Sequence, residues 1–151
     1  MWATGCAAGA DRARLLVFIC DGAVWIWNLI AQYFPNAIQI VDWYHAADRL
    51  KRIAEEVFPT LEERQTWLKQ VTEDLWQGRV ELVIEACRSL AKKSKWAQQS
   101  LTYYSNNIER MRYDQFRAAN LLIGSGIIES GCKQIVTQPL KLPGAQWHLD
   151  G

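Results

Sequence analysis

The sequence lacks several features that would point directly to a class of protein. It has no run of about 18 apolar residues, the length that a membrane span requires. It has no charged start followed by a long apolar core, so it does not resemble a signal peptide. It also has no C-x-x-C pair, which excludes a zinc knuckle and a dithiol redox motif. These absences predict a cytoplasmic protein with reduced cysteines and no membrane partner.

An excess of charge of one sign is also missing. The chain has 17 Lys and Arg against 16 Asp and Glu, a formal net charge of +1 over 151 residues. Because no bulk positive field is present, any DNA binding must come from local patches. Apolar residues make up 50% of the chain and charged residues 22%, which is ordinary for a folded protein. We therefore expect one domain, or part of one, with a hydrophobic core.

The clearest structural pattern lies near the start of the chain. A continuous apolar run at 15–20 predicts a strand buried on both faces. Residues 23–34 have apolar side chains at helical spacing and are followed by Pro35. The β-rich, alternating segment at 37–43 predicts a second strand. Strand, helix and strand in this order predict a right-handed βαβ unit with a parallel pair of strands.

Helical patterns fill most of the remaining chain, and Gly or Pro separates several of them. One boundary is specific, because Thr60 and Glu63 have the spacing of a capping box. We predict helices at about 46–58, 60–75, 79–94, 96–119 and 127–137.

Two aspartates follow the predicted strands. Asp21 precedes Gly22 at the end of the first, and Asp42 stands three residues before His45 at the end of the second. The carboxyl ends of parallel strands meet at one edge of a sheet, where open α/β sheets bind ligands, so we expect both aspartates there. A plainer interpretation stays open: each aspartate caps the helix that follows it, and His45 is a packed histidine.

Further candidates lie in the second half of the chain. Glu129 falls in the first turn of the last predicted helix, where any carboxylate interacts favourably with the helix dipole. Lys133 follows one turn later, and Arg110 and Arg112 alternate with tyrosines at 102–117. These basic residues either contact a phosphate backbone or form the solvated face of ordinary helices.

The tryptophans are also open to two interpretations. Most lie at helical spacing with aliphatic residues, which favours core packing over base stacking. The tryptophans concerned are Trp25, Trp27, Trp43, Trp67, Trp76 and Trp96.

The order of these motifs is more specific than any one of them. A strand ends in DGAVWIWN, a second ends in DWYHA, and a helical block precedes GSGIIESGCK. This order, which includes LTYYSNNIERMRYDQFR, resembles the transposases of bacterial insertion sequences of the ISKra type, related to the Mutator-like branch of DDE enzymes. The resemblance covers about residues 15–147. It implies an α/β protein: a partial ribonuclease H-like fold (a βαβ parallel pair) with a large all-helical insertion and a C-terminal helix that carries the glutamate.

The resemblance also implies an organisation of the chain into four parts. These are an irregular segment at 1–14, a partial ribonuclease H-like core at 15–45, a helical insertion at 46–120, and the C-terminal catalytic helix with an irregular tail at 121–151.

By this resemblance Asp21 matches the second catalytic aspartate and Glu129 the final catalytic glutamate, and both are expected metal ligands. Asp42 and His45 match a signature whose role is to support the site. Two Mg²⁺ (or Mn²⁺) ions in the complete enzyme activate a water or a 3′-hydroxyl and stabilise the leaving oxygen of a phosphodiester. Oxygen ligands suit such hard cations. The implied partners are the terminal inverted repeats of a transposon, a second copy of the chain, and full-length transposase.

The sequence departs from the family pattern at two places. A complete DDE site has another aspartate on an upstream strand, whereas Asp11 lies in a polar context that does not predict a strand. Pro139 stands where the pattern has a basic residue in a continuous helix. We therefore expect a fragment of a DDE transposase whose parent cuts and joins DNA, inactive by itself.

Two alternatives to this prediction belong to other functional classes. The chain is a non-catalytic remnant that binds DNA or intact transposase, or it is a small metal-dependent hydrolase that uses Asp21, Asp42 and His45 alone.

Overall fold

The computed structural model describes Ala7, Gly9 and residues 12–124. The predicted βαβ unit is present, with both strands shorter than expected. The strands pair in parallel, from Val17 opposite Ile38 to Cys20 opposite Val41. The elements are β1 (Val17–Cys20), α1 (Val24–Tyr33) and β2 (Ile38–Val41).

The two strands differ in burial. All four residues of β1 are half-buried, whereas Ile40 and Val41 of β2 are buried. Leu15, just before β1, exposes 54% of its surface. The prediction that the first strand is buried on both faces is therefore wrong. The physical reason is that, among the described residues, β1 has a paired neighbour on one side only.

Two neighbouring tryptophans show which side of α1 packs on the core. Trp27 and Ile30 are buried. Trp25 is 66% exposed, because residues two apart on a helix do not share a face. Core packing is thus correct for Trp27 and wrong for Trp25. Trp43, Trp67 and Trp96 are half-buried against the core. Trp76 is also half-buried and packs edge-on against Trp43.

The helix that follows β2 begins earlier than the predicted start at 46. It is α2 (Trp43–Val57), and its first residue falls inside the segment predicted as strand. Asp42 causes the early start, since its carboxylate accepts hydrogen bonds from the backbone N–H groups of Tyr44 at 2.8 Å and His45 at 3.3 Å. A side chain that satisfies these otherwise unpaired donors stabilises the first turn of a helix.

Three more helices follow α2: α3 (Leu61–Trp76), α4 (Val80–Leu90) and α5 (Lys95–Asn106). The capping box at the start of α3 is confirmed. The Glu63 N–H donates to Thr60 Oγ1 at 3.3 Å, and the Thr60 N–H donates to Glu63 Oε2 at 3.2 Å. At the start of α5, the buried hydroxyl of Ser94 donates to Glu56 of α2, which joins these two helices.

The single helix predicted at 96–119 is wrong. The chain instead forms α5, a 3₁₀ turn (Ile108–Met111) and α6 (Tyr113–Ala118). Asn107 marks the break, because its backbone leaves the helical region and its side-chain amide donates to the Tyr103 carbonyl at 2.9 Å. Asparagine competes in this way with helical backbone bonds.

Buried tyrosines join the helices to the strand ends. The Tyr104 hydroxyl donates to the Ala46 carbonyl at 2.7 Å, and the Tyr113 hydroxyl donates to the Val41 carbonyl at 2.9 Å. Both side chains are fully buried within the same core as Ile40. The described strands and helices therefore share one hydrophobic core.

Two of the four cysteines, Cys20 and Cys87, are free thiols, as predicted. Cys6 and Cys132 lie outside the described residues.

Candidate active site

Asp21 and Asp42 leave the sheet side by side. They follow Cys20 and Val41, which are paired across the two strands. The Asp42 N–H donates to the Cys20 carbonyl at 2.7 Å, which extends the ladder to the last position before Asp21. The structure therefore places both aspartates at the carboxyl edge of the sheet, where the sequence predicts them.

Asp21 has an exposed carboxylate on a fixed turn. Its Oδ1 atom accepts a hydrogen bond from the Ala23 N–H at 2.9 Å. The N-cap residue of α1 is Ala23, and no side-chain hydrogen bond caps that helix. Asp21 therefore does not occupy the N-cap position, but its carboxylate bonds the N–H of the N-cap residue, so the capping interpretation holds in part. The Asp21 side chain stays exposed at the sheet edge.

The turn after Asp21 is held by a residue far away in the chain. Tyr103 of α5 donates its hydroxyl to the Asp21 carbonyl at 2.9 Å. Its ring lies so close to Gly22 that a Cβ atom there would be 2.6 Å from Tyr103 Cε2, and Gly22 has a φ of +93°. Glycine adopts such a φ without steric cost. Burial raises the pKa of Tyr103 to about 12, so the hydroxyl stays a donor at neutral pH.

Asp42 is buried, whereas His45 is exposed. Asp42 is 3% exposed and is the N-cap of α2, as the plainer interpretation holds. His45 is exposed, so its interpretation as a packed histidine is wrong. Because the Asp42 side chain supports the turn that presents His45, this pair shapes the edge beside Asp21.

A pocket of about 220 Å³ opens between Asp21 and α2. The pocket is lined by Asp21, His45, Asp48, Arg49, Arg52 and Trp96. Arg49 and Arg52 were not among the site residues predicted from the sequence. A signal was present, since Arg49 and Arg52 stand four and seven residues after His45, the spacing of one helix face.

The family of the chain follows from comparison with known proteins. A family model of transposases, DDE_Tnp_ISL3, matches residues 3–120. The chain belongs to this transposase family. No curated protein and no solved structure matches it. The general prediction of a transposase is therefore confirmed, whereas the ISKra type within the Mutator-like branch stays a prediction.

None of the helices between residues 12 and 124 is long and apolar enough to cross a membrane.

The structure describes only one of the two predicted metal ligands, Asp21. In the part of the chain that the structure describes, no group of three or more His, Cys, Asp or Glu side chains is arranged to hold a metal ion. Asp21, Asp42 and His45 therefore do not form a metal site alone, which counts against the small hydrolase. Glu129 and Lys133 lie outside the described residues. Asp21 thus offers one exposed oxygen ligand, of the kind that Mg²⁺ prefers.

The two arginines predicted to contact DNA have partners within the transposase. Arg110 donates to Gln39 Oε1 at 2.7 Å and lies beside the amino-terminal half of β2. Arg112 donates to Glu81 at 2.6 Å and to Glu109 at 3.2 Å. Through these bonds Arg110 contacts β2 and Arg112 contacts α4. The role of the two arginines in DNA binding stays a prediction.

Proposed function

We propose that this transposase takes part in metal-dependent cutting and joining of DNA, with Asp21 as a ligand of the catalytic Mg²⁺ or Mn²⁺. The observation that carries the proposal is the exposed Asp21 carboxylate at the carboxyl edge of a parallel pair, on a turn fixed by Tyr103. A metal ligand on a rigid support keeps its geometry during the reaction. Family membership supplies the reaction class.

Glu129 is the second ligand in this proposal. Support comes from Gly124, since a Cβ atom there would lie 3.7 Å from Asp42 Oδ1, and from the Trp43 N–H, which donates to the Ile123 carbonyl at 2.9 Å. The chain therefore returns to the carboxyl edge of the sheet five residues before Glu129. Five residues of fully extended chain reach at most about 18 Å. The chain is therefore long enough for Glu129 to share a metal ion with Asp21, as the proposal requires.

The bound metal supplies the activation of a water or 3′-hydroxyl and the stabilisation of the leaving oxygen. The chain's own residues do the rest. Asp21 contributes an oxygen ligand, the Asp42 cap holds the start of α2, and His45 stands at the rim of the pocket. Lys133, Arg110 and Arg112 are proposed contacts to the DNA backbone.

We also propose that the fold is ribonuclease H-like with a helical insertion, and that the transposase is of the ISKra type within the Mutator-like branch. The proposed DNA substrate is the terminal inverted repeats of a transposon. We further propose that the chain is a fragment that does not cleave DNA by itself. The departure from the family pattern supports this part, because no strand is predicted around Asp11, the one aspartate upstream of Asp21.

The same observation favours a second candidate function, a non-catalytic module that binds DNA or intact transposase. The two candidates differ in their dependence on metal. Binding through phosphate contacts falls as salt rises and needs no metal. Catalysis needs both Asp21 and Glu129.

The decisive experiment measures Mn²⁺ binding to the full chain by electron paramagnetic resonance, with DNA present. If Asp21 and Glu129 are ligands, Asp21→Asn and Glu129→Gln each weaken Mn²⁺ affinity by about tenfold or more, at least the effect of losing an outer-shell partner. Glu85→Gln on the exposed face of α4 is the matched control and leaves the affinity unchanged. Unchanged affinity in Asp21→Asn would overturn the proposal.

A cleavage assay on labelled DNA tests the predicted lack of activity of the isolated chain. Robust Mn²⁺-dependent cleavage that disappears in Asp21→Asn would show that the chain is active by itself. Salt-dependent DNA binding that survives Glu129→Gln, together with no Mn²⁺ binding, would favour the non-catalytic module.

A further inference from the structure

Two arginines of α2 face Asp21 across the 220 Å³ pocket. We propose that Arg49 and Arg52 bind the phosphate backbone of DNA directly beside the Asp21 edge. This inference rests on the proposed function, which supplies DNA as the substrate, and it adds the residues that hold the strand at the site. Planar guanidinium groups are well suited to phosphate oxygens, because their N–H donors form a fixed fork.

Arg49 is held in place without being neutralised. Its guanidinium carbon lies 3.8 Å from the centre of the Tyr103 ring. Among the described residues no carboxylate forms an ion pair with it, in contrast to four other arginines: Arg52, Arg79, Arg88 and Arg112. Stacking engages the flat face of a guanidinium and leaves its in-plane N–H groups available as donors. Arg49 also shares a side-chain hydrogen bond with Tyr103, so its remaining donors line the pocket in a fixed orientation.

Arg52 is held by a second aromatic ring and a weak ion pair. Its guanidinium carbon lies 4.9 Å from the centre of the Trp96 ring, and its Nε donates to Asp48 at 2.9 Å. Both charged side chains are about half exposed, at 51% and 50%. Exposed ion pairs contribute little to stability. A phosphate group in the pocket can therefore replace Asp48 as the partner of Arg52, because breaking this exposed ion pair costs little free energy.

Tyr103 connects the arginine site to the carboxylate. Its ring carries Arg49, and its hydroxyl bonds to the backbone of Asp21. A phosphate on Arg49 is thus held at a defined position relative to the Asp21 turn. The pocket also contains the carboxylates of Asp21 and Asp48. A metal ion bound at Asp21, as the proposed function requires, would offset the charge of that carboxylate.

The test is the salt dependence of DNA binding, measured by fluorescence anisotropy with a labelled duplex of about 20 base pairs at about 50–200 mM salt. Each phosphate contact contributes about 0.9 to the slope of log K against log salt. The double variant Arg49→Gln/Arg52→Gln is expected to reduce this slope by about 1.8. The control Lys51→Gln/Arg88→Gln removes the same charge from other surfaces and leaves most of the slope in place.

Two further variants separate charge from geometry. Arg49→Lys keeps the charge and loses the planar fork, so it should bind more weakly than the wild type. The Lys51→Gln single variant, on the same helix, should not. Thermal unfolding of each variant, followed by circular dichroism, confirms that the proteins compared are equally folded.

The outcomes separate this inference from the proposed function. Equal slopes for the arginine variant and its control overturn the inference, and the Mn²⁺ result for Asp21→Asn stands independently. In a second outcome, Arg49→Gln/Arg52→Gln lowers the salt slope while Asp21→Asn leaves the Mn²⁺ affinity unchanged. This outcome supports the arginine site and overturns the assignment of Asp21 as a metal ligand. If polyglutamate competes as strongly as DNA, or if the wild-type chain binds no DNA, the arginine site is not a DNA site and the inference fails.

Discussion

Gly22 offers a direct test of the idea that α5 fixes the turn carrying Asp21. In Gly22→Ala the new methyl group meets Tyr103 Cε2 at 2.6 Å and the hydroxyl oxygen at 2.9 Å, at a φ of +93°. The positive φ costs an alanine about 1–2 kcal/mol. Inserting a methyl group into a packed site costs about 1–3 kcal/mol more. The free energy of unfolding should therefore fall by about 2–5 kcal/mol, as measured by urea denaturation.

A double-mutant cycle separates the two costs. In the Tyr103→Ala background the ring is gone, so Gly22→Ala should cost only the backbone strain of about 1–2 kcal/mol. The difference between the two backgrounds is the coupling energy of the contact, and neighbours in contact typically give about 0.5–3 kcal/mol. An equal cost of Gly22→Ala in both backgrounds would refute the proposed contact between the turn and α5.

Two further predictions concern the core and the acid side of the stability curve. Tyr104→Phe leaves the Ala46 carbonyl without its buried donor and should lower the free energy of unfolding by about 1–3 kcal/mol, against less than about 0.5 kcal/mol for exposed Tyr44→Phe in the same denaturation assay. Hydrogen bonds from Arg112 lower the pKa of Glu81 from 4.5 to about 2 in the folded state. The stability that this bond contributes is therefore present above pH 4.5 and is lost as the pH falls towards 2. In Glu81→Gln the free energy of unfolding should depend less on pH between 4.5 and about 2, whereas Glu85→Gln should leave this dependence unchanged. The same pH dependence in Glu81→Gln as in the wild type would contradict this account.

The sequence was sufficient to predict features that depend on neighbouring residues. The apolar run before Asp21 predicts β1, and the spacing of Thr60 and Glu63 predicts the start of α3, because both signals lie within a few residues. The common edge of Asp21 and Asp42 followed from the rule that parallel strands end together. These predictions hold in the structure.

Features that depend on distant contacts were not predictable from local patterns. The bond from Tyr103 to Asp21 joins residues 82 positions apart, and no periodicity in either segment indicates it. The break at Asn107 was missed because the apolar spacing continues across it, with Tyr104 and Met111 both buried. The face formed by His45, Arg49 and Arg52 had a visible spacing, but its meaning depends on Tyr103 and Trp96, which reach it only after folding.

The bond between Tyr103 and Asp21 also bears on how the protein is made. A ribosome adds about 5–20 residues per second, so the 82 residues that separate this pair take about 4–16 s to synthesise. The strand ends and Gly22 leave the ribosome early, whereas the tyrosine that holds their turn arrives late. During this interval the newly made βαβ segment lacks its final anchor. The carboxylate edge is therefore among the last parts of the chain to take its native shape during translation.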